Sequence, residues 1–217
     1  MKLLIDIGNT NINRALRGAK GKVDKVVVVS VDPAMLKKQK RVLKRKYKSA
    51  EIFVVGEDIK VPLKCRYNKR QIGQDRLVTA FAAKSLYGLP VLIVDFGTAV
   101  TFDFVSRNDV YEGGLILPGI KMSLDSLSER TALLPKTYLK KTSSFIGRDT
   151  VSSIRNGMIY GYASICDGLV SQFRKRIGKN LKVVATGGDA RLIGSYTRSL
   201  KKIDPNLSLK GLYLLAR

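Results

Sequence analysis

A strand, an acidic glycine turn and a second strand occur twice in this chain, 89 residues apart, and that repetition constrains the fold more than any other feature. Residues 2–7 form an apolar run ending in Asp6-Ile7-Gly8-Asn9-Thr10, and residues 11–16 follow as a strand-like stretch. After Pro90 the design recurs: residues 91–94 run into Asp95-Phe96-Gly97-Thr98-Ala99, then residues 100–105. Superposing Asp6 on Asp95 sets Gly8 on Gly97 and Asn9 on Thr98. Two copies so far apart do not make a solenoid. The simpler architecture is an internal duplication into two related lobes, residues 1–89 and 90–217, divided at the Gly88 to Pro90 turn.

Between the copies, residues 26–31 are β-rich, residues 35–48 have helical spacing, and residues 52–55 form a short strand. Residues 75–87 read as a helix ended by Gly88 and Pro90. In the second copy, residues 110–117 close a β-meander and Pro118 opens a helix toward Arg130. Residues 149–177 read as one long helix or two abutting helices, and residues 182–185 as a buried strand leading into Thr186-Gly187-Gly188. Strands alternating with helices predict an α/β fold.

Histidine is absent, which removes the commonest general base and metal ligand together with every Ser-His-Asp or Cys-His arrangement. Acid–base work at neutral pH then falls to carboxylate, Lys, Tyr or Cys. Cys65 and Cys166 form no Cys-x-x-Cys pair and, without histidine, close no structural zinc site; they read as free, buried thiols. No apolar run approaches the roughly 18 residues of a membrane span, and Asp6 comes too early for a secretory leader. The expectation is a cytoplasmic protein with no membrane partner.

Forty Lys and Arg against seventeen Asp and Glu leave a net charge of +23, which favours anionic partners. The excess peaks in residues 35–48, where Lys37, Lys38, Lys40, Arg41, Lys44, Arg45, Lys46 and Lys48 meet no acid. Met35, Leu36, Val42, Leu43 and Tyr47 fit a narrow apolar stripe there. The segment reads first as a solvated basic helix face, and second as a nucleic-acid contact.

A carboxylate at a strand's end, followed by a glycine that lets backbone N–H groups approach an anion and by an Asn or Thr side chain, builds a phosphate clamp with an acid available to Mg²⁺. One such turn is common in plain hairpins; two at matched positions, with Ala185 to Gly188 as a third glycine-rich strand end, favour ATP-type phosphate binding. Neither a Walker loop nor Gly-x-Gly-x-x-Gly occurs.

Six blocks then carry a resemblance: Asp6-Ile7-Gly8-Asn9-Thr10-Asn11; Gly73-Gln74-Asp75-Arg76; the run from Asp95 to Asp103; Gly113-Gly114 with Pro118-Gly119; Gly147-Arg148-Asp149-Thr150; and Ala185-Thr186-Gly187-Gly188. In order and spacing the chain resembles type III pantothenate kinase, and the tail from Asp204 to Leu212 is similar to that family's ending. The resemblance implies an actin-like ATPase fold of two ribonuclease-H-like lobes, each a β-meander plus helices, acting as a homodimer. It implies transfer of the γ-phosphoryl of ATP to the primary hydroxyl of pantothenate, giving 4'-phosphopantothenate in the first step of coenzyme A biosynthesis.

On that resemblance Asp6, Ile7, Gly8, Asn9, Thr10, Asn11, Ile12 and Asn13 would hold the ATP phosphates, with Asp6 also on Mg²⁺, and Thr98 would touch ATP. Asp95 would bind a monovalent cation, K⁺ or NH₄⁺. Gly73, Gln74, Asp75 and Arg76 would contact pantothenate, Asp75 as catalytic base, with Thr150 closing on the substrate and Tyr67 added at a slightly different spacing. On the residues alone Asp75 is equally a helix N-cap, and Asp149 beside Thr150 fits a helix start as well as a substrate site. Asp103 could coordinate a ligand or face solvent on its strand, the structural reading being favoured, and Gly113, Gly114 and Gly119 are expected to serve tight turns. The chain is shorter than usual members before Gly73 and in the loops of the second half, and far more basic. A regulatory or nucleic-acid-binding relative using residues 35–48 is the alternative function.

Overall fold

The computed structural model describes residues 1–217. Along the chain come β1 (Lys2–Ile7), β2 (Ile12–Arg17), β3 (Lys25–Ser30), α1 (Pro33–Lys46), β4 (Glu51–Val54), β5 (Lys64–Cys65), α2 (Gln74–Tyr87), β6 (Val91–Phe96), β7 (Ala99–Val105) and β8 (Val110–Pro118). There follow α3 (Ile120–Glu129), α4 (Thr150–Ile177), β9 (Lys182–Gly187), α5 (Ala190–Gly194), β10 (Lys202–Ile203) and α6 (Leu207–Leu215). The chain divides into two units: Met1–Gly88 with Val105–Gly113 and Asn206–Arg217, and Leu89–Phe104 with Gly114–Pro205.

In the first unit the run Leu3, Leu4 and Ile5 and the four valines of β3 are buried on both faces, which is why these strands are continuously apolar rather than alternating. β1 pairs antiparallel with β2, setting Asp6 opposite Asn13, and parallel with β3, which pairs parallel with β4. The order is β2-β1-β3-β4. Leu3, Ile5, Ile7, Val26, Val28 and Leu43 form one core layer, with Met35, Leu36 and Tyr47 of the α1 segment packed on it. Asp32 caps α1 by accepting from Met35 N at 2.9 Å, and Pro33 opens it. Most basic side chains of α1 are exposed, and Val42, placed in the apolar stripe by spacing, is 49% exposed as well. Still within this unit, α6 packs on α2 and β1. Gly211 makes the α2 contact possible: a Cβ there would lie 2.7 Å from Val78 Cγ1. The C-terminal carbonyl of Ala216 accepts from Lys2 Nζ at 2.7 Å and Lys25 Nζ at 3.2 Å, so two cations satisfy the negative end of α6.

In the second unit the strand order is β10-β9-β6-β7-β8, with β6 parallel to β9 and β9 parallel to β10. Phe96, Phe102, Ile120, Leu124, Ile159, Cys166 and Ile193 lie at the centre of its core. Residues 150–177 form a single 28-residue helix, α4, settling the choice between one helix and two. Compared from their central strands β1 and β6, the copies share a hairpin partner on one side and two parallel strands on the other. The second has the full ribonuclease-H-like order, whereas the first stops its meander at two strands.

Candidate active site

The duplicated strand ends match in detail. β1 and β6 both finish buried-buried-intermediate-buried, with Asp6 and Asp95 at the intermediate position and the following loop exposed. In each loop the glycine N–H folds back, Gly8 onto Asn11 O at 2.9 Å and Gly97 onto Ala99 O at 3.1 Å. These amides close the turns, so an anion would be met by the groups beyond them.

In the first unit Asp6 Oδ2 accepts a 2.7 Å hydrogen bond from Ser208 Oγ of α6. Burial pushes the Asp6 carboxyl above its ordinary range, and the Ser208 bond opposes that shift. A cation at this strand end would favour the ionised form further. No group of three or more acidic or thiol side chains forms a cage for a metal. Asp6 thus offers what Mg²⁺ commonly uses, a single carboxylate completed by waters and substrate phosphates.

Gly73 is the N-cap residue of α2, so Asp75 is not the cap; it stands in the first turn, where the positive end of the helix favours its charge. Its carboxylate crowds Gly73 so closely that a Cβ there would overlap Asp75 Oδ1. Its carbonyl accepts from Thr79 Oγ1 at 2.8 Å. The Gln74 side chain rests on Gly56, which has φ +95°, with a Cβ there 2.9 Å from Gln74 Cγ. Tyr67 is 38% exposed and packs 6.1 Å from Tyr111, centroid to centroid. Gly113, at φ +122°, leaves room for its ring.

In the second unit two glycine turns pack against the end of β6 and the loop after it. A Cβ on Gly119, the N-cap residue of α3, would collide with Thr98 O and lie 2.8 Å from Gly97 O. A Cβ on Gly187, at φ +92°, would collide with the carbonyl of Phe96 and lie 2.6 Å from Asp95 Oδ1. The α3 start therefore abuts the Gly97–Thr98 loop and the Gly187 turn abuts the β6 end just before it, each at a distance that only glycine permits. Asp189, just after Gly188, has its carboxyl pushed up by burial. Thr150 is exposed at the first position of α4, and Asp149 is its N-cap, accepting from Ser152 N and Ser152 Oγ at 2.8 Å each. Those bonds hold Asp149 below its ordinary range.

Asp103 differs from expectation: it is buried, not solvent-facing, and accepts from Thr101 Oγ1 at 2.8 Å. Asp167, which the sequence leaves without a role, fastens the turn before β10 by accepting from Arg198 N, Ser199 N and Ser199 Oγ. Cys166 is buried and its thiol pushed up to about 12, largely by burial; Cys65 is half-buried and also raised. Ser208 is the site-adjacent group that the sequence hides, since its bond to Asp6 spans 202 residues. The tail similarity was its sole signal.

Two solved structures are similar to this chain. A structure described as a conserved putative Baf family transcriptional activator from Campylobacter jejuni superposes with a TM-score of 0.59 at 22% identity, covering 98% of this chain and 96% of that one. A polyphosphate/ATP-glucomannokinase from Arthrobacter sp. strain KM matches with a TM-score of 0.45 at 15% identity, covering all of this chain and 99% of that one. The fold is that of the actin-like ATPases, with ribonuclease-H-like lobes. The family model for type III pantothenate kinase matches residues 12–172, about three quarters of the sequence and including the Gly73 to Arg76 and Asp95 to Asp103 blocks. The chain belongs to the type III pantothenate kinase family, a family of phosphotransferases.

Proposed function

We propose that this protein phosphorylates the primary hydroxyl of pantothenate at the expense of ATP, the entry step to coenzyme A. The observation that carries the reading is the family match over residues 12–172, within which Asp75 occupies the first turn of α2 behind a glycine N-cap. With no histidine in the chain, a carboxylate is the natural acceptor for the alcohol proton. Asp75 takes that proton as the hydroxyl oxygen attacks the γ-phosphorus; the bond from γ-phosphorus to the bridging oxygen breaks, and ADP leaves.

Arg76 would pair with the carboxylate of pantothenate, and Gly73, Gln74, Tyr67 and Thr150 would complete its site. The loop from Asp6 to Asn13 and Thr98 would hold ATP. Asp6 would hold Mg²⁺, which would supply charge neutralisation, most of what phosphoryl transfer requires besides positioning. Asp95 Oδ1 and the Phe96 carbonyl, both against Gly187, are oxygen donors suited to K⁺ or NH₄⁺. A homodimer is the expected assembly.

The test is ADP release coupled to a spectrophotometric readout, with and without pantothenate and K⁺. Pantothenate-dependent turnover is expected, and Asp75→Asn should lower kcat by about 10²–10⁴-fold while keeping the thermal melt. Turnover within a few-fold of wild type in that variant would remove Asp75 as base, and no pantothenate dependence would overturn the substrate.

A further inference from the structure

The second unit carries a basic groove that the kinase reading does not use. It has a volume of about 690 Å³ and is lined by Asp167, Ser171, Arg174, Lys175, Lys179, Arg198 and Ser199. Lys179 lies just before β9 and Arg198 just before β10, so the groove sits where these parallel strands begin, whereas Gly187 ends β9. Five rises of about 3.3 Å separate Lys182 from Gly187, the two ends of β9, by roughly 17 Å.

The groove is held in shape. Asp167 Oδ1 and Oδ2 take Arg198 N at 3.1 and 3.0 Å, and Oδ1 also takes Ser199 N at 2.9 Å and Ser199 Oγ at 2.6 Å. These bonds clamp the Arg198 segment to α4. They also occupy the one carboxylate of the lining, although burial works against its charge, and hold it below its ordinary range. Arg174, Lys175, Lys179 and Arg198 form no salt bridge, leaving four exposed cations beside the Ser171 hydroxyl, while Ser199 Oγ is committed to Asp167.

We propose that this groove binds a small anion carrying two or three linked phosphates. The groove is open to solvent, and its volume of about 690 Å³ has room for such an anion. Four cations lining one groove, with the Ser171 hydroxyl beside them, suit vicinal phosphate oxygens. No aromatic ring lines it, so nothing stacks a base, and the phosphates themselves are what is recognised.

Calorimetry with sodium tripolyphosphate on the full chain tests this at 0.15 M ionic strength, where the general field of a +23 protein is screened within about 8 Å. With saturating ADP in the buffer, one tripolyphosphate should still bind. The variant R174Q/K175Q/K179Q/R198Q should weaken that binding by at least about tenfold. A charge-matched control on α1 and its end, K37Q/K38Q/K44Q/K48Q, should leave it unchanged. Circular dichroism melts verify folding, and R198Q and K179Q alone should each weaken binding measurably if the quadruple variant unfolds. Equal losses in the control would show that net charge alone is responsible. Wild-type affinity in the groove variant, or loss of binding to a 20-base-pair duplex with tripolyphosphate unaffected, would equally overturn the proposal.

Discussion

Replacing Ser208 with alanine probes how the last helix of the chain governs the first glycine loop. Ser208 Oγ donates to Asp6 Oδ2 at 2.7 Å, and neither residue is fully exposed. A hydrogen bond to a charged acceptor contributes about 1.5–3 kcal/mol, and water reaching this half-buried carboxylate recovers part of it, so a loss of about 1–2 kcal/mol is expected. For a chain of 217 residues that lowers Tm by roughly 2–8 °C.

The pH dependence identifies the mechanism. A carboxyl whose folded pKa is raised contributes stability that is fully present below its unfolded value of 3.8 and is lost as pH rises through the folded value. Removing Ser208, which opposes the rise, pushes the folded value higher still. The deficit of Ser208→Ala should therefore grow between pH 4 and pH 7.5; in an Asp6→Asn background, whose amide oxygen can still accept from Ser208, it should be smaller and no longer change with pH. Thermal melts of the four proteins at both pH values form the cycle. A deficit of one size at both pH values, undiminished when Asp6→Asn is also present, would mean that Ser208 acts through α6 packing and not through the carboxylate.

Two other expectations rest on single observations. Gly187→Ala should cost about 1–3 kcal/mol and weaken nucleotide binding, because it combines a φ of +92° with a collision against Phe96, whereas Gly188→Ala, with nothing within 4 Å of its Cβ, should be tolerated; equal melts for the two would refute this. Cys166, fully buried with its thiol pushed up to about 12, should resist a thiol reagent at pH 8 in the native state, and rapid labelling there would contradict the packing described.

The parts of the fold carried by local pattern were legible in the sequence. The duplicated Asp-x-Gly hairpins, the α1 and α2 spans and the long α4 follow from apolar spacing and turn residues, each of which acts over a few positions. What was not legible depends on distant partners. Asp75 suits a cap by residue type, yet Gly73 takes that position because the carboxylate needs the space a Cβ would fill. Alternation put Asp103 in solvent, but β7 is buried along most of its length, so alternation carries no information there. Ser208 and Asp167 were opaque for the same reason, since their partners lie 202 and about 31 residues away and leave no periodic trace.

The shortened first copy gives part of the charge excess a structural reason. The second unit extends its meander to β8, but in the first the chain turns back after β2, with Gly18 at φ +105°, and enters β3 directly. β2 therefore remains an edge, largely exposed, with a half-exposed Leu16 that would template pairing with another strand. Arg14 and Arg17 stand on the same strand, Arg14 tied to Gln39 of α1 at 3.1 Å and Arg17 to the Leu16 carbonyl at 3.0 Å. Charges on an exposed edge are a common means of discouraging such pairing. Arg14 and Arg17 guard the edge that the two-stranded meander leaves open, and the basicity of β2 needs no anionic partner to explain it.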